Sequence, residues 1–265
     1  MTPWPELKWW NSGERQVCEE KIDDLERQGI TCNPEKDLLY QALREVEEKD
    51  CKVCIVGQDP YPNPIFATGV AFSIPRHVSE ESFPGTLRLI LKEYVTDTHN
   101  SFPSHGDLRK WCTQGVLLWN AIPSVQQGRP LSNDWNEWSY LTSEIIRRLS
   151  ERGVVFAFLG AIARNYSDRV SEGRNRIVVT GHPSVRGNLN SKNPFNGSRI
   201  FTTINAKLRE LKKEPIDWCL TDTVEKKPVI ASAGKVLPNV NNHPISLPST
   251  IRLPRRAEST FSLEE

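Results

Sequence analysis

Four short apolar runs constrain this chain most: CKVCIV at 51–56, VLLWN at 116–120, VVFAFLG at 154–160 and RIVVTG at 176–181. Strands this continuously apolar belong in a sheet covered on both faces. The stretches between them carry apolar residues at helical spacing. Leu87, Ile90, Leu91 and Tyr94 share one stripe. Trp138, Leu141, Ile145 and Leu149 share another, with Asp134 as a candidate N-cap, and Ile204, Leu208 and Leu211 a third. Shorter helices are expected over 107–114 and 161–170. The alternation predicts an α/β fold, a single domain with a central four-stranded parallel sheet flanked by helices on both faces.

Two flanking regions differ from this core. Residues 1–50 read as a helical segment packed on it, with Cys18, Ile22 and Leu25 on one stripe and Leu38, Leu39, Ala42 and Val46 on another. Residues 221–265 hold five prolines, no helical stripe and little core material, so a disordered C-terminal tail is expected there. The α/β core is then 51–220. No apolar stretch reaches the length of a membrane span, and MTPWPELKWW lacks a basic-then-apolar leader, so an intracellular location and no membrane partner are expected.

Six cysteines in 265 residues are too sparse for a disulfide scaffold. Cys51 and Cys54 form a CxxC, but on a strand their sulfurs point to opposite faces, and no second pair completes a metal site. The net charge of +1 hides an asymmetry. Residues 1–50 carry seven basic against thirteen acidic side chains. Residues 164–199 carry Arg164, Arg169, Arg174, Arg176, Arg186, Lys192 and Arg199 against only Asp168 and Glu172. A local basic segment on a near-neutral protein suits a polyanion, although a solvated surface explains it equally well.

Ligands of open α/β sheets bind outside the carboxyl ends of the strands. Three of those ends are polar here. The first strand runs into Gln58-Asp59-Pro60-Tyr61, the second into Asn120, and the fourth into Gly181-His182-Pro183-Ser184. Each residue alone has a structural explanation, as turn cap, loop bond or buried histidine. Together on one sheet edge, Asp59, Asn120 and His182 point to an enzyme pocket.

Quoted together, these segments resemble family 1 uracil-DNA glycosylases. GQDPYP at 57–62 is similar to the family's water-activating motif, AFS at 71–73 to its base-stacking segment, QGVLLWN at 114–120 to its asparagine strand and GHPS at 181–184 to its histidine loop. The likeness runs in order from about Val53 to the PIDWC at 215–219. It implies hydrolysis of the N-glycosidic bond of uracil in DNA, leaving an abasic site for base excision repair. Asp59 would orient water and stabilise the cationic sugar, and His182 would stabilise the departing base. Phe72 would stack on the flipped uracil, Asn120 would read its polar edge, Tyr61 would exclude the 5-methyl group of thymine and Gln58 would complete the base contacts. Pro84, Gly85 and Thr86 resemble a strand-pinching loop, and Ser184 a phosphate contact.

The resemblance further implies a monomer without metal or organic cofactor, acting on single- and double-stranded DNA containing uracil and open to blockade by a DNA-mimicking inhibitor protein. Departures from the family pattern are Pro62 after PY, Trp119 before Asn120, Ala161 after Gly160, and HPSVRG at 182–187. The last places Arg186 where the family has an apolar wedge, from which a stronger relative preference for single strands is expected. The alternative is a DNA-binding replication accessory protein with the same fold and little chemistry. Substitution at Asp59 or His182 would favour it, and neither is substituted.

Overall fold

A computed structural model describes residues 2–221 apart from 172, 174 and 190; the expected tail, beyond its first residue, lies outside the described residues. In chain order the regular elements are α1 (Gly13–Arg27), β1 (Cys32–Asn33), α2 (Gln41–Glu45), β2 (Val53–Gly57), α3 (Gly85–Thr98), α4 (Arg109–Cys112) and β3 (Val116–Asn120). They continue with β4 (Val125–Gln126), α5 (Asn136–Ser150), β5 (Val155–Leu159), α6 (Ala161–Arg164), β6 (Arg176–Thr180), α7 (Val185–Leu189) and α8 (Ile200–Glu210).

The four apolar runs form one parallel sheet in the order β3-β2-β5-β6. Every residue of β2, β3 and β5 is buried, which is the burial of a sheet with helices on both faces. Register carries the polar ends to one edge. Gly57 lies opposite Asn120 in the β2–β3 pair, and Leu159 opposite Thr180 in the β5–β6 pair. The chain leaves β2 toward β3 on one side and returns to β5 on the other. This reversal of strand order opens a crevice at the carboxyl end of β2.

The helical stripes explain how the sheet is covered. Leu87, Ile90, Leu91 and Tyr94 of α3 are buried, as are Trp138, Leu141, Ile145 and Leu149 of α5. Helix α1 buries Cys18 and Ile22, and its cap is Ser12, whose Oγ accepts from Arg15 N. Ahead of it, Trp4, Leu7 and Trp9 are buried, and the buried Glu144 of α5 accepts the Lys8 and Trp9 amides at 2.6 and 3.1 Å. Cys51 and Cys54 are core thiols, and burial pushes the Cys51 pKa up to about 12. Among the described residues no helix is long and apolar enough to cross a membrane.

Three local expectations are corrected. The residue before α5 is Trp135, with no side-chain cap, so Asp134 stands one position too early to be the N-cap. The 161–170 segment breaks after Arg164 and resumes as a 3₁₀ turn over Ser167–Arg169. The second N-terminal stripe is a 3₁₀ turn over Lys36–Leu38 followed by α2 rather than one helix.

Candidate active site

The turn after β2 is held from three directions. Ala121 N donates to Gly57 O and Ile122 N to Gln58 O, so the turn stays joined to the β3 exit. The Pro62 carbonyl accepts from Asn33 Nδ2 at 2.8 Å and from Gly128 N at 3.0 Å. Asn33 is buried in β1, and β1 pairs antiparallel with β4, so a small two-stranded sheet braces the GQDPYP turn. Pro62, a departure from the family pattern, thus contributes its carbonyl and has no amide hydrogen to place.

The Asp59 carboxylate is oriented through both oxygens. Gln58 Nε2 donates to Oδ1 at 2.9 Å, and the backbone amide of Leu131 donates to Oδ2 at 2.7 Å. Leu131 adopts a positive φ of 61°, an uncommon conformation for a leucine, in the loop between β4 and α5. The two N–H donors fix the orientation of the carboxylate and leave each oxygen a further lone pair.

Asp59 faces a cavity of about 190 Å³ whose lining includes Gln58, Tyr61, Phe72, Thr86, Asn120 and His182. Its wall is built by a close approach at Gly57. A Cβ there would lie 2.6 Å from Phe72 Cζ and 3.1 Å from Asn120 Oδ1, so only glycine admits both side chains. Phe72 has a φ of +66°, and its carbonyl accepts from the Tyr61 hydroxyl at 3.0 Å. A left-handed non-glycine residue costs about 1–3 kcal/mol, and such outliers collect at functional sites. Phe72 belongs to the hydrophobic core as well as to the cavity wall. Burial pushes the Tyr61 phenol well above its usual pKa, so it remains a neutral donor.

Asn120, at the end of β3, is only 8% exposed, and its amide makes no hydrogen bond among the described residues. A buried amide without a partner that lines a cavity is set to bind something polar. The His182 imidazole likewise has no hydrogen-bond partner among the described residues. Burial lowers its pKa below the usual 6.5, against an upward pull from the Asp59 carboxylate. It is therefore neutral at neutral pH and offers one N–H donor.

A second, larger hollow of about 980 Å³ adjoins the first, sharing Gln58, Pro130 and His182. It is lined by Ala161, Arg164, Ser184, Arg186 and Lys192, among others. None of these three cations makes an ion pair among the described residues. Elsewhere in the basic segment, Arg176 pairs with Glu210 at 2.6 Å and Arg199 lies 3.7 Å from Asp97. Ser184 Oγ accepts from Gly187 N at 3.0 Å. Pro84 and Gly85 open α3 outside the base-sized cavity, and only Thr86 of that trio lines it. Trp119 is buried, donating its indole N–H to Thr142 of α5 at 2.9 Å, and is not part of the cavity wall.

Sequence reasoning missed the Leu131 amide, because a backbone donor leaves no side-chain signature. It also missed Asn33, whose role follows from the β1–β4 pairing, and singled out Arg164 and Lys192 only as part of a charge run.

Comparison with known proteins agrees with this geometry. Residues 44–209 match the uracil DNA glycosylase superfamily. A uracil-DNA glycosylase of Bacillus subtilis is 36% identical over 222 residues, covering 81% of this chain and 96% of the relative. One of Coxiella burnetii is 36% identical over 235 residues, covering 84% and 100%. Among solved structures, mimivirus uracil-DNA glycosylase superposes with a TM-score of 0.71 at 25% identity, over 79% of this chain and 83% of that one. With a match that spans more than half of its length, the chain belongs to the uracil DNA glycosylase superfamily.

Proposed function

We propose that this protein is a family 1 uracil-DNA glycosylase, which flips uracil out of DNA and hydrolyses its N-glycosidic bond. The observation that carries the reading is the convergence of Asp59, Asn120 and His182, from three strand ends, on one cavity of about 190 Å³. Ordinary ligand clefts span roughly 300–1,000 Å³, so this one suits a single base rather than a whole nucleotide. The aspartate of GQDPY supports placement in family 1 within the superfamily.

In the reaction the bond from C1′ of the sugar to N1 of uracil breaks, and its electron pair leaves with the base. The sugar becomes cationic and the uracil anionic. Asp59, held by Gln58 and Leu131, stabilises the cation and takes a proton from the water that adds to C1′. His182 donates its N–H to the uracil oxygen on which charge accumulates; a neutral donor suits this because it leaves no ion pair to break on release. Groups of these kinds each contribute roughly 10²- to 10⁴-fold in rate.

Recognition uses the rest of the wall. The free amide of Asn120 donates and accepts along the uracil edge, Phe72 stacks on the ring and Gln58 adds a base contact. Tyr61, tethered to the Phe72 carbonyl, occupies the space a 5-methyl group would need. Pro84, Gly85, Thr86, Ser184 and Arg186 serve the DNA strand, whether single or duplex. A mimivirus relative is known in complex with UGI, and we take a DNA-mimicking inhibitor of that kind to engage the same face here. The protein is taken to act as a monomer on DNA inside the cell. The accessory-protein alternative gains nothing from the site, where Asp59 and His182 both stand at the cavity.

The test is base release. Oligonucleotides with one uracil, thymine or cytosine are incubated with the protein in EDTA, and free bases are separated by chromatography. Uracil alone is expected. Thymine released at a comparable rate would refute the role of Tyr61, and no release by folded protein would favour the accessory reading.

A further inference from the structure

Beyond Tyr61 the chain makes a short excursion, from Pro62 to Gly69, that is fixed at both ends. The Pro62 carbonyl is held by Asn33 and Gly128. Gly69 has a φ of +74°, and a Cβ there would collide with the Leu38 carbonyl, so its backbone rests directly on the segment ahead of α2. Its own carbonyl accepts from Ala42 N at 3.2 Å. Between these anchors, Asn63-Pro64-Ile65-Phe66 forms a tight turn. Phe66 N donates to Asn63 O at 3.1 Å, and Ile65 N donates to Asn63 Oδ1 at 3.1 Å. Proline at the second position and asparagine at the first are the residues such a turn favours. Ala67 N adds a bond to Pro64 O at 3.3 Å.

This turn brings Phe66 back onto Tyr61. The two ring centroids are 5.9 Å apart and the planes meet at 76°, an edge-to-face pair. Tyr61, Ala67 and Thr68 line the base-sized cavity, whereas Phe66 does not. Phe66 therefore reaches the site only through the Tyr61 ring. The two grips on that ring are complementary. The hydroxyl bond to the Phe72 carbonyl fixes the axis from Cβ to the phenol oxygen but leaves the ring free to turn about it. A second ring packed at right angles opposes that turning.

We propose that Phe66 is a positioning residue for base selection, which holds the Tyr61 ring in place and so sets how strictly the cavity rejects uracils with a 5-substituent. The proposal rests on the glycosylase reading and deepens it. Uracil fits with the Tyr61 ring where it stands. A base carrying a methyl-sized group at C5 is seated only if the ring turns or tilts, and that movement gives up the contact with Phe66. The free energy of an edge-to-face pair corresponds to roughly two- to ten-fold in rate, which bounds the share of Phe66 in the discrimination.

The test is a ratio of single-turnover rates, measured with enzyme in excess on single-stranded oligonucleotides. Each carries one uracil, 5-fluorouracil or 5-bromouracil; fluorine is little larger than hydrogen, and bromine fills about the space of a methyl group. Phe66→Leu keeps apolar bulk without a ring, Phe66→Tyr keeps the ring, and circular dichroism and thermal unfolding check that both fold. Phe66→Leu is expected to raise the 5-bromouracil-to-uracil ratio by roughly two- to ten-fold and to leave the 5-fluorouracil-to-uracil ratio unchanged. Phe66→Tyr is expected to keep both ratios at the wild-type value. A purely structural role for Phe66 would lower all three rates together. An unchanged bromouracil ratio in folded Phe66→Leu, no release of 5-bromouracil by it, or an equal relaxation in Phe66→Tyr would each overturn the proposal. A wild-type chain that releases no uracil would instead overturn the glycosylase reading itself.

Discussion

Gly57→Ala adds one methyl group at the point where the cavity wall is tightest. Its carbon would lie 2.6 Å from Phe72 Cζ, so the ring must withdraw by about 0.8 Å to reach an ordinary 3.4 Å contact. Withdrawal is opposed on two sides. Phe72 packs in the hydrophobic core, and its backbone is fixed at a positive φ with its carbonyl bonded to Tyr61. Asn120 Oδ1, 3.1 Å from the new carbon, is pressed as well. Overpacking of this kind costs about 1–3 kcal/mol of stability. A displacement approaching 1 Å at a substrate-positioning group can cost on the order of 10²-fold in rate. Uracil-excision kcat/KM and thermal unfolding would be measured for Gly57→Ala beside Gly13→Ala, where the added carbon meets nothing within 4 Å. The account expects Gly57→Ala to fold with a lowered Tm and to lose about 10²-fold in kcat/KM, and Gly13→Ala to keep its activity. A folded Gly57→Ala protein within about three-fold of wild-type activity would refute the claim that Phe72 and Asn120 together form the base site.

Other outcomes follow from the same geometry. Burial lowers the His182 pKa and Asp59 opposes the shift, so Asp59→Asn should lower it further in an NMR titration; a rise would contradict the proximity of the two groups. Because unfolded histidine protonates near 6.5 and native His182 only at lower pH, its contribution to stability is complete above pH 6.5 and declines as pH falls toward the native value. Urea unfolding of wild type against His182→Gln over that range checks the sign, and a contribution that grows on acidification would refute it. Replacing Leu131 by its α-hydroxy acid deletes the N–H on Asp59 Oδ2 and should slow kcat by about ten- to a hundred-fold with KM unchanged. Equal kcat would show that this donor does not position the carboxylate. Asn33→Ala removes the side-chain donor from the Pro62 carbonyl, which keeps its bond from Gly128 N, and should destabilise the fold by about 0.5–1.5 kcal/mol in chemical denaturation; an unchanged midpoint would remove the bracing role.

The parallel sheet was legible because β2, β3 and β5 are buried at every position and carry no polar side chain except Asn120 at the end of β3, a pattern that two-sided burial explains. The candidate site was legible for a related reason, since Asp59, Asn120 and His182 stand at or within two residues of the carboxyl ends of three strands, and parallel strands end on one edge. What escaped depends on features that a residue string does not carry. The Leu131 amide serves Asp59 through backbone geometry alone. Asn33 reaches the Pro62 carbonyl only because β1 pairs with β4. Asp134 is a good cap by residue type, yet α5 starts after Trp135.

The central claim is that one carboxylate at the end of β2 drives excision of uracil bound between β2, β3 and the histidine turn. The most direct test is the single-turnover rate of wild type and Asp59→Asn on a uracil-containing oligonucleotide in EDTA, with alkali converting abasic sites to strand breaks. Asparagine keeps the shape and the Leu131 hydrogen bond but neither the charge nor the proton acceptor. The account predicts rapid cleavage by wild type and a loss of roughly 10²- to 10⁴-fold for Asp59→Asn, with affinity for the oligonucleotide retained. An Asp59→Asn protein that cleaves at the wild-type rate would contradict it.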